Sequence, residues 1–147
     1  MTDLIEMWHK RARPTPTQAD FNTQLGCHVE EFIEMLDSLY LQVNGTTLDY
    51  DIEHMYVALT ELAKGLKANQ IDARILRRED FLDAIADQVV TGVGAAHCAG
   101  MRPTEALRRV NQSNWSKFDS EGQPLRDVNG KIAKGLNYKA PDLNGLY

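Results

Sequence analysis

The chain has 147 residues, 43% of them hydrophobic and 25% charged, with a formal net charge of −5. It is long enough to close a hydrophobic core, and its composition is not that of a disordered chain. The acidic balance lacks the basic excess expected of a duplex nucleic-acid binder and points to a small-molecule or metal-using protein.

The opening "MTDLIEMWHK" carries acids and no long apolar run, so no secretory leader is expected. Thr2 is placed to cap a short helix with Leu4, Ile5, Met7 and Trp8 on one side, ending before Pro14. Thr15-Pro16 reads as an N-cap followed by proline at the first helical position. A long helix should then run to about Leu41, with Phe21, Leu25, Val29, Phe32, Ile33, Leu36 and Leu39 near helical spacing. Asn44-Gly45 breaks it. Thr47 or Asp49 caps a third helix to Gln70, with Ile52, Met55, Tyr56, Leu59, Leu62 and Leu66 as its apolar set. A fourth starts near residues 77–80, carries Phe81, Leu82, Ile85, Val89, Val90 and Val93, and stops at Gly100. Pro103 opens a fifth, with Ala106, Leu107, Val110 and Trp115 facing inward.

After Phe118 the chain becomes rich in Gly, Pro and Asn, and Asn129-Gly130 is a hairpin signal. The expected fold is all-α, an antiparallel bundle of about five helices over 1–118. A short β-hairpin tail of the same domain should follow over 119–147. No apolar run approaches the roughly 18 residues of a membrane span, so no membrane partner is expected. Cys27 and Cys98 have neither metal-site nor disulfide spacing and read as reduced, mostly buried thiols of a cytoplasmic protein. A zinc site from Cys27-His28 and His97-Cys98 is disfavoured, because adjacent residues on a helix point in different directions.

The carboxylates are the distinctive feature. Glu31 and Glu34 are three residues apart, Glu30 and Glu34 four, and Asp37 extends the row. Asp80, Asp83 and Asp87 form a second row on the fourth helix, with Glu79 beside it. Both rows border apolar positions, where a carboxylate is costly unless paired or metal-bound. Hard oxygen ligands on two helices suit magnesium, with manganese as the alternative. The competing reading is two solvated faces, neutralised by Lys64 or the arginines of "RILRR".

"EEFIE", followed some way on by "FLDAIADQVV", resembles the all-α nucleoside triphosphate pyrophosphohydrolases, the MazG-like and phosphoribosyl-ATP pyrophosphohydrolase-like proteins. "ALRRVNQSNWSKFD" is similar to that family's substrate segment, and "DVNGKIAKGLNYKAPDL" to the tail of its small, often phage-encoded members. The resemblance covers roughly residues 20 to 143. It implies a helical bundle completed as a homodimer or homotetramer. It also implies hydrolysis of an NTP or dNTP between the α and β phosphates, with magnesium as the usual metal. Carried over residue by residue, the first acidic motif falls on Glu30, Glu31 and Glu34. In the second, Asp87 matches, but the family's glutamate falls on Ala84, so either Asp83 replaces it or Asp80 and Asp83 form the acidic pair. The implied metal ligands are Glu31, Glu34, Asp83 and Asp87, with Asp80 as the further candidate; Glu30 is another ligand or the base that orients water. Asn111, Asn114 and Lys117 are the implied substrate contacts, with Lys131, Lys134 and Tyr138 from the tail. Three other readings stand beside this one: a non-catalytic nucleotide- or metal-binding regulator, a phosphoribosyl-ATP pyrophosphohydrolase, and an interaction protein that docks partners through its acidic faces.

Overall fold

The computed structural model describes residues 2–39, 42–43, 46–47, 49–126 and 132–147. Outside the described residues lie the Asn44-Gly45 turn, the Asn129-Gly130 tip, Lys131, and the side chains of Thr47, Asp49 and Ile52. Five helices make up most of what is described: α1 Thr2–Ala12, α2 Gln18–Asp37, α3 Asp49–Lys67, α4 Arg78–Cys98 and α5 Pro103–Trp115. Between α2 and α3, β1 Gln42–Val43 pairs antiparallel with β2 Thr46–Thr47. The chain divides into two compact units, residues 16–76 and residues 1–15 with 77–147.

The 16–76 unit is a helical hairpin of α2 and α3. Its cap is Thr17, two residues after the expected Thr15. Thr17 accepts from the Asp20 backbone N–H at 3.1 Å, and the Asp20 carboxylate accepts from the Thr17 backbone N–H at 3.0 Å. This reciprocal box satisfies two donors that a helix start leaves open, which Thr15 followed by proline does not do. The helix ends at Asp37, short of Leu41.

Gly26 is the contact point of the hairpin. A Cβ there would lie 2.8 Å from the Ala63 carbonyl oxygen and 3.0 Å from the Leu66 Cβ, so only glycine lets the two backbones approach this closely. Ile33, Ala63 and Leu66 are buried in this unit. After α3 the chain turns at Asn69, in the left-handed region at φ 55°, and comes back past the start of α2. Buried Asn22 gathers this return: its side-chain oxygen accepts from the Ala73 N–H at 3.0 Å and from Gln18 at 2.9 Å, and its amide donates to Asp72 at 3.3 Å. Asn22 contacts 69–73 while Gly26 contacts 63–67, so α2 and α3 run antiparallel.

In the other unit, Trp8, Ala12 and Phe118 form a buried cluster, with Trp115 and Ile132 packed against it. Arg11 fastens α1 to the segment after α5, donating to the Gly122 carbonyl at 2.6 Å. The C-terminal tail departs from the expected hairpin. Among the described residues it holds only isolated bridges, Phe118 with Pro124 and Arg126 with Ile132. Its last part instead runs as a strap along α5. The Lys139 N–H donates to Ser116 Oγ at 2.8 Å, Arg109 Nη1 to the Asp142 carbonyl at 2.7 Å, and the Arg102 N–H to the Leu146 carbonyl at 2.9 Å. An α-helix rises about 1.5 Å per residue and an extended chain about 3.3 Å. The seven steps from 139 to 146 therefore span about the same length as the fourteen from 102 to 116.

The apolar positions of α4 are not a core face: α4 buries no residue, and Leu82 and Val90 are 69% and 67% exposed. Among the described helices and strands of its own unit α4 contacts only α5, and its apolar stripe stays exposed. Val110 of α5 is likewise exposed, while the polar Asn111 and Ser113 are buried.

Candidate functional site

The acidic row of α2 belongs to the hairpin unit and that of α4 to the other. On α2, Glu31, Glu34 and Asp37 are exposed and Glu30 is half-buried, in an ion pair with Lys67 of α3. Lys67 is thus the neutralising cation. Lys64 pairs instead with Glu61 at 2.9 Å, and Arg74 with Asp72 at 3.2 Å. On α4, Asp80 pairs with Arg77 of "RILRR", one turn back, so an arginine of that run does neutralise one acid of this row. Asp83 and Asp87 are exposed. The expectation that the α4 row sits at a core edge is corrected here, because a helix that buries nothing leaves its carboxylates in water.

In the two rows the carboxylates of Glu31, Glu34, Asp37, Glu79, Asp83 and Asp87 form no side-chain hydrogen bond or ion pair with the described residues. They include the four acids that the resemblance assigns to metal, Glu31, Glu34, Asp83 and Asp87, while Glu30 and Asp80, which it left with alternative roles, are paired. Within neither unit do three or more His, Cys, Asp or Glu side chains converge into a metal-binding group among the described residues. Each helix brings its own row onto one face. The donors are hard, anionic oxygens, which fits magnesium or manganese and not a soft metal.

The α5 candidates are drawn together more closely. Lys117 Nζ donates to Asn114 Oδ1 at 2.7 Å and lies 5.8 Å from the centre of the Trp8 ring. Trp8 Nε1 donates to the Asn114 carbonyl at 2.8 Å. One tryptophan from α1 therefore holds the backbone of Asn114 and faces the ammonium that bonds its side chain. Its role as packing was legible from the sequence; its hold on Asn114 was not, since more than a hundred residues separate them. Asn111 is only 6% exposed and its amide has no hydrogen-bond partner among the described residues. In the tail, the Lys134 ammonium sits over the Tyr138 ring, 4.9 Å from its centre.

No family model, curated protein or solved structure matches the chain. Its chemistry is therefore read from its own residues. No helix among the described residues is long and apolar enough to cross a membrane. Both thiols are free, Cys27 half-buried and Cys98 exposed, so the expectation of burial fails for Cys98, which sits at the end of the uncovered α4.

One charged group escaped the sequence reading. Glu105 bonds Arg108 at 2.6 and 2.8 Å and Arg109 at 2.9 Å, and these contacts hold its carboxyl down at about 2. The signal was present: "EALRR" puts an acid three and four residues before two arginines on one helical face.

Proposed function

We propose that this chain is a magnesium-dependent nucleoside triphosphate pyrophosphohydrolase, cleaving an NTP or dNTP between the α and β phosphates to give the monophosphate and pyrophosphate. The observation that carries the reading is that Glu31, Glu34, Asp83 and Asp87, at the positions the family resemblance selects, are all unpaired among the described residues, as are Asp37 and Glu79 beside them. Glu31 and Glu34 on one helix, and Asp83 and Asp87 on the other, would hold magnesium or manganese. When bound, such a cation neutralises phosphate charge and polarises the anhydride under attack.

The remaining work falls to the chain's own side chains. Glu30, braced by Lys67, orients water and accepts its proton as the water oxygen bonds to phosphorus; the bridging oxygen departs with pyrophosphate. Lys117 and Asn114 bind phosphate or base from α5, Asn111 offers its unpartnered amide, and Lys131, Lys134 and Tyr138 of the tail cover the nucleotide. The uncovered stripe of α4, with Leu82, Val89, Val90 and Val93, supports association into a homodimer or homotetramer. Nucleotide chemistry and two free thiols suit a cytoplasmic setting.

The test is pyrophosphate release from a nucleotide panel with magnesium or manganese. Release should require metal, and Glu34→Gln or Asp87→Asn should each lower it by at least about a hundredfold. Full activity in both variants removes the assignment. Nucleotide binding without release would make the chain a regulator instead.

A further inference from the structure

A polar groove lies between α5 and the strap, and no residue of either acidic row lines it. It measures about 450 Å³, smaller than the apolar cavity of about 660 Å³ lined by Met7, Trp115 and Phe118. Arg108, Arg109 and Ser113 of α5 line it with Lys139 and Asp142 of the strap.

Donors converge here with their geometry already fixed. Glu105 takes Arg108 through Nε and Nη2 and Arg109 through Nε, and the Asp142 carbonyl takes Arg109 Nη1. Arg108 Nη1, Arg109 Nη2 and Lys139 Nζ have no partner among the described residues. Asp142 is the opposing carboxylate, and one of its oxygens accepts from the Asn144 N–H at 3.0 Å. Three cations against Glu105 and Asp142 leave the groove positive, in a chain whose net charge is −5.

Ser113 adds an independent observation. It is only 6% exposed, and its hydroxyl has no hydrogen-bond partner among the described residues although it lines the groove. No buried side-chain oxygen or nitrogen among the described residues is both sealed from solvent and unbonded, so this hydroxyl opens into the groove. Among the described residues this hydroxyl is left with no partner, so its hydrogen-bonding capacity is available to whatever enters the groove. A ligand oxygen supplies that partner.

We propose that this groove is a binding site for a phosphate-class oxyanion, one or two phosphate groups in size, held by Arg108, Arg109 and Lys139 and hydrogen-bonded by the Ser113 hydroxyl. Guanidinium forks match tetrahedral oxyanions, and two of them are braced here by one carboxylate before any ligand arrives. The site is separate from the proposed nucleotide contacts: Asn111, Asn114 and Lys117 follow one another at three-residue steps and are not among the groove residues named above.

The experiment is calorimetric titration of the full chain with inorganic phosphate and, separately, pyrophosphate, without divalent cation. Saturable binding is expected for at least one of them, weakening as salt is raised. Lys139→Ala and Ser113→Ala should each weaken it about tenfold, the scale of one hydrogen bond to a charged group. Lys64→Ala, at an exposed lysine paired with Glu61 and outside both proposed sites, should leave it unchanged. Melting temperatures of the variants check that they fold. The proposal is overturned by an absence of binding at millimolar anion, by wild-type affinity in folded Lys139→Ala and Ser113→Ala, or by an equal loss in Lys64→Ala. None of these outcomes depends on catalytic turnover, so this site and the hydrolytic reading can fail separately.

Discussion

Trp8 shows how much one side chain can join. Its ring packs 5.8 Å from that of Phe118, its N–H holds the Asn114 carbonyl, and Lys117 lies over it. Trp8→Phe keeps a ring and loses the N–H, which is worth about 1 kcal/mol. The melting temperature should fall by only about 2–4 °C, while under the proposed function KM for the nucleotide should rise several-fold as Asn114 and Lys117 lose their anchor. Trp8→Ala should cost about 3–5 kcal/mol through the cavity alone. Thermal melts with steady-state kinetics separate the two effects. An unchanged KM in Trp8→Phe would leave Trp8 a packing residue and nothing more.

At the scale of elements, two glycines in helices should respond in opposite directions. Gly26→Ala forces a Cβ against the Ala63 carbonyl, which is backbone and moves only if α2 and α3 separate. Overpacking of this kind costs about 1–3 kcal/mol. Gly92 in α4 has nothing within 4 Å of its missing Cβ. There alanine should stabilise by about 0.5–1 kcal/mol through helix propensity. Melting of both variants tests the pair, and equal shifts would contradict the close approach. A second element-scale prediction concerns α5. Glu105 is held at about 2, so the stability it contributes is present above the ordinary glutamate value of about 4.3 and is lost as pH falls toward 2. Wild-type melting should therefore drop between about pH 4.5 and 2 by more than that of Glu105→Gln, with the difference shrinking in high salt. An identical acid dependence in both would show that this exposed brace adds nothing.

These elements also mark what the sequence could convey. Helix positions were legible because caps, prolines and apolar spacing act locally: α4 and α5 begin and end close to where Gly100 and Pro103 place them. The Thr17 cap was equally local, its Thr-x-x-Asp box in plain view, but Thr15-Pro16 offered a competing start. The strap was not legible. Its bonds join residues 139–146 to 102–116, and no turn signal announces a chain that lies along a helix. Burial failed for the same reason: a stripe such as that of α4 states which face is apolar, not whether anything covers it. Of the candidate site, the carboxylate rows could be read from three- and four-residue spacing. Their state of pairing could not, because Lys67 reaches Glu30 across a helix–helix contact.

At the scale of the whole molecule, the question is why an acidic chain leaves Glu31, Glu34, Asp83 and Asp87 unpaired among the described residues while pairing Glu30, Glu61, Asp72, Asp80 and Glu105 with cations. If the four are merely solvated, neutralising one changes stability little, within about 0.5 kcal/mol, and magnesium makes no difference. If they hold a cation, magnesium stabilises the folded chain by mass action, by about 2.7 kcal/mol at a hundred times the dissociation constant. The two cases separate cleanly because exposed, unbonded carboxylates can be removed without opening a cavity. Glu34→Gln and Asp87→Asn should therefore melt like wild type without magnesium, and each should lose the magnesium-dependent rise. Since Glu34 and Asp87 belong to different units, loss of the rise in both variants would mean that one ion depends on both rows. Loss in only one would confine the ion to that row, and the other row would then be a solvated face. Glu30→Gln differs from both, since it strands Lys67 in a half-buried position and should lower the melting temperature with or without metal.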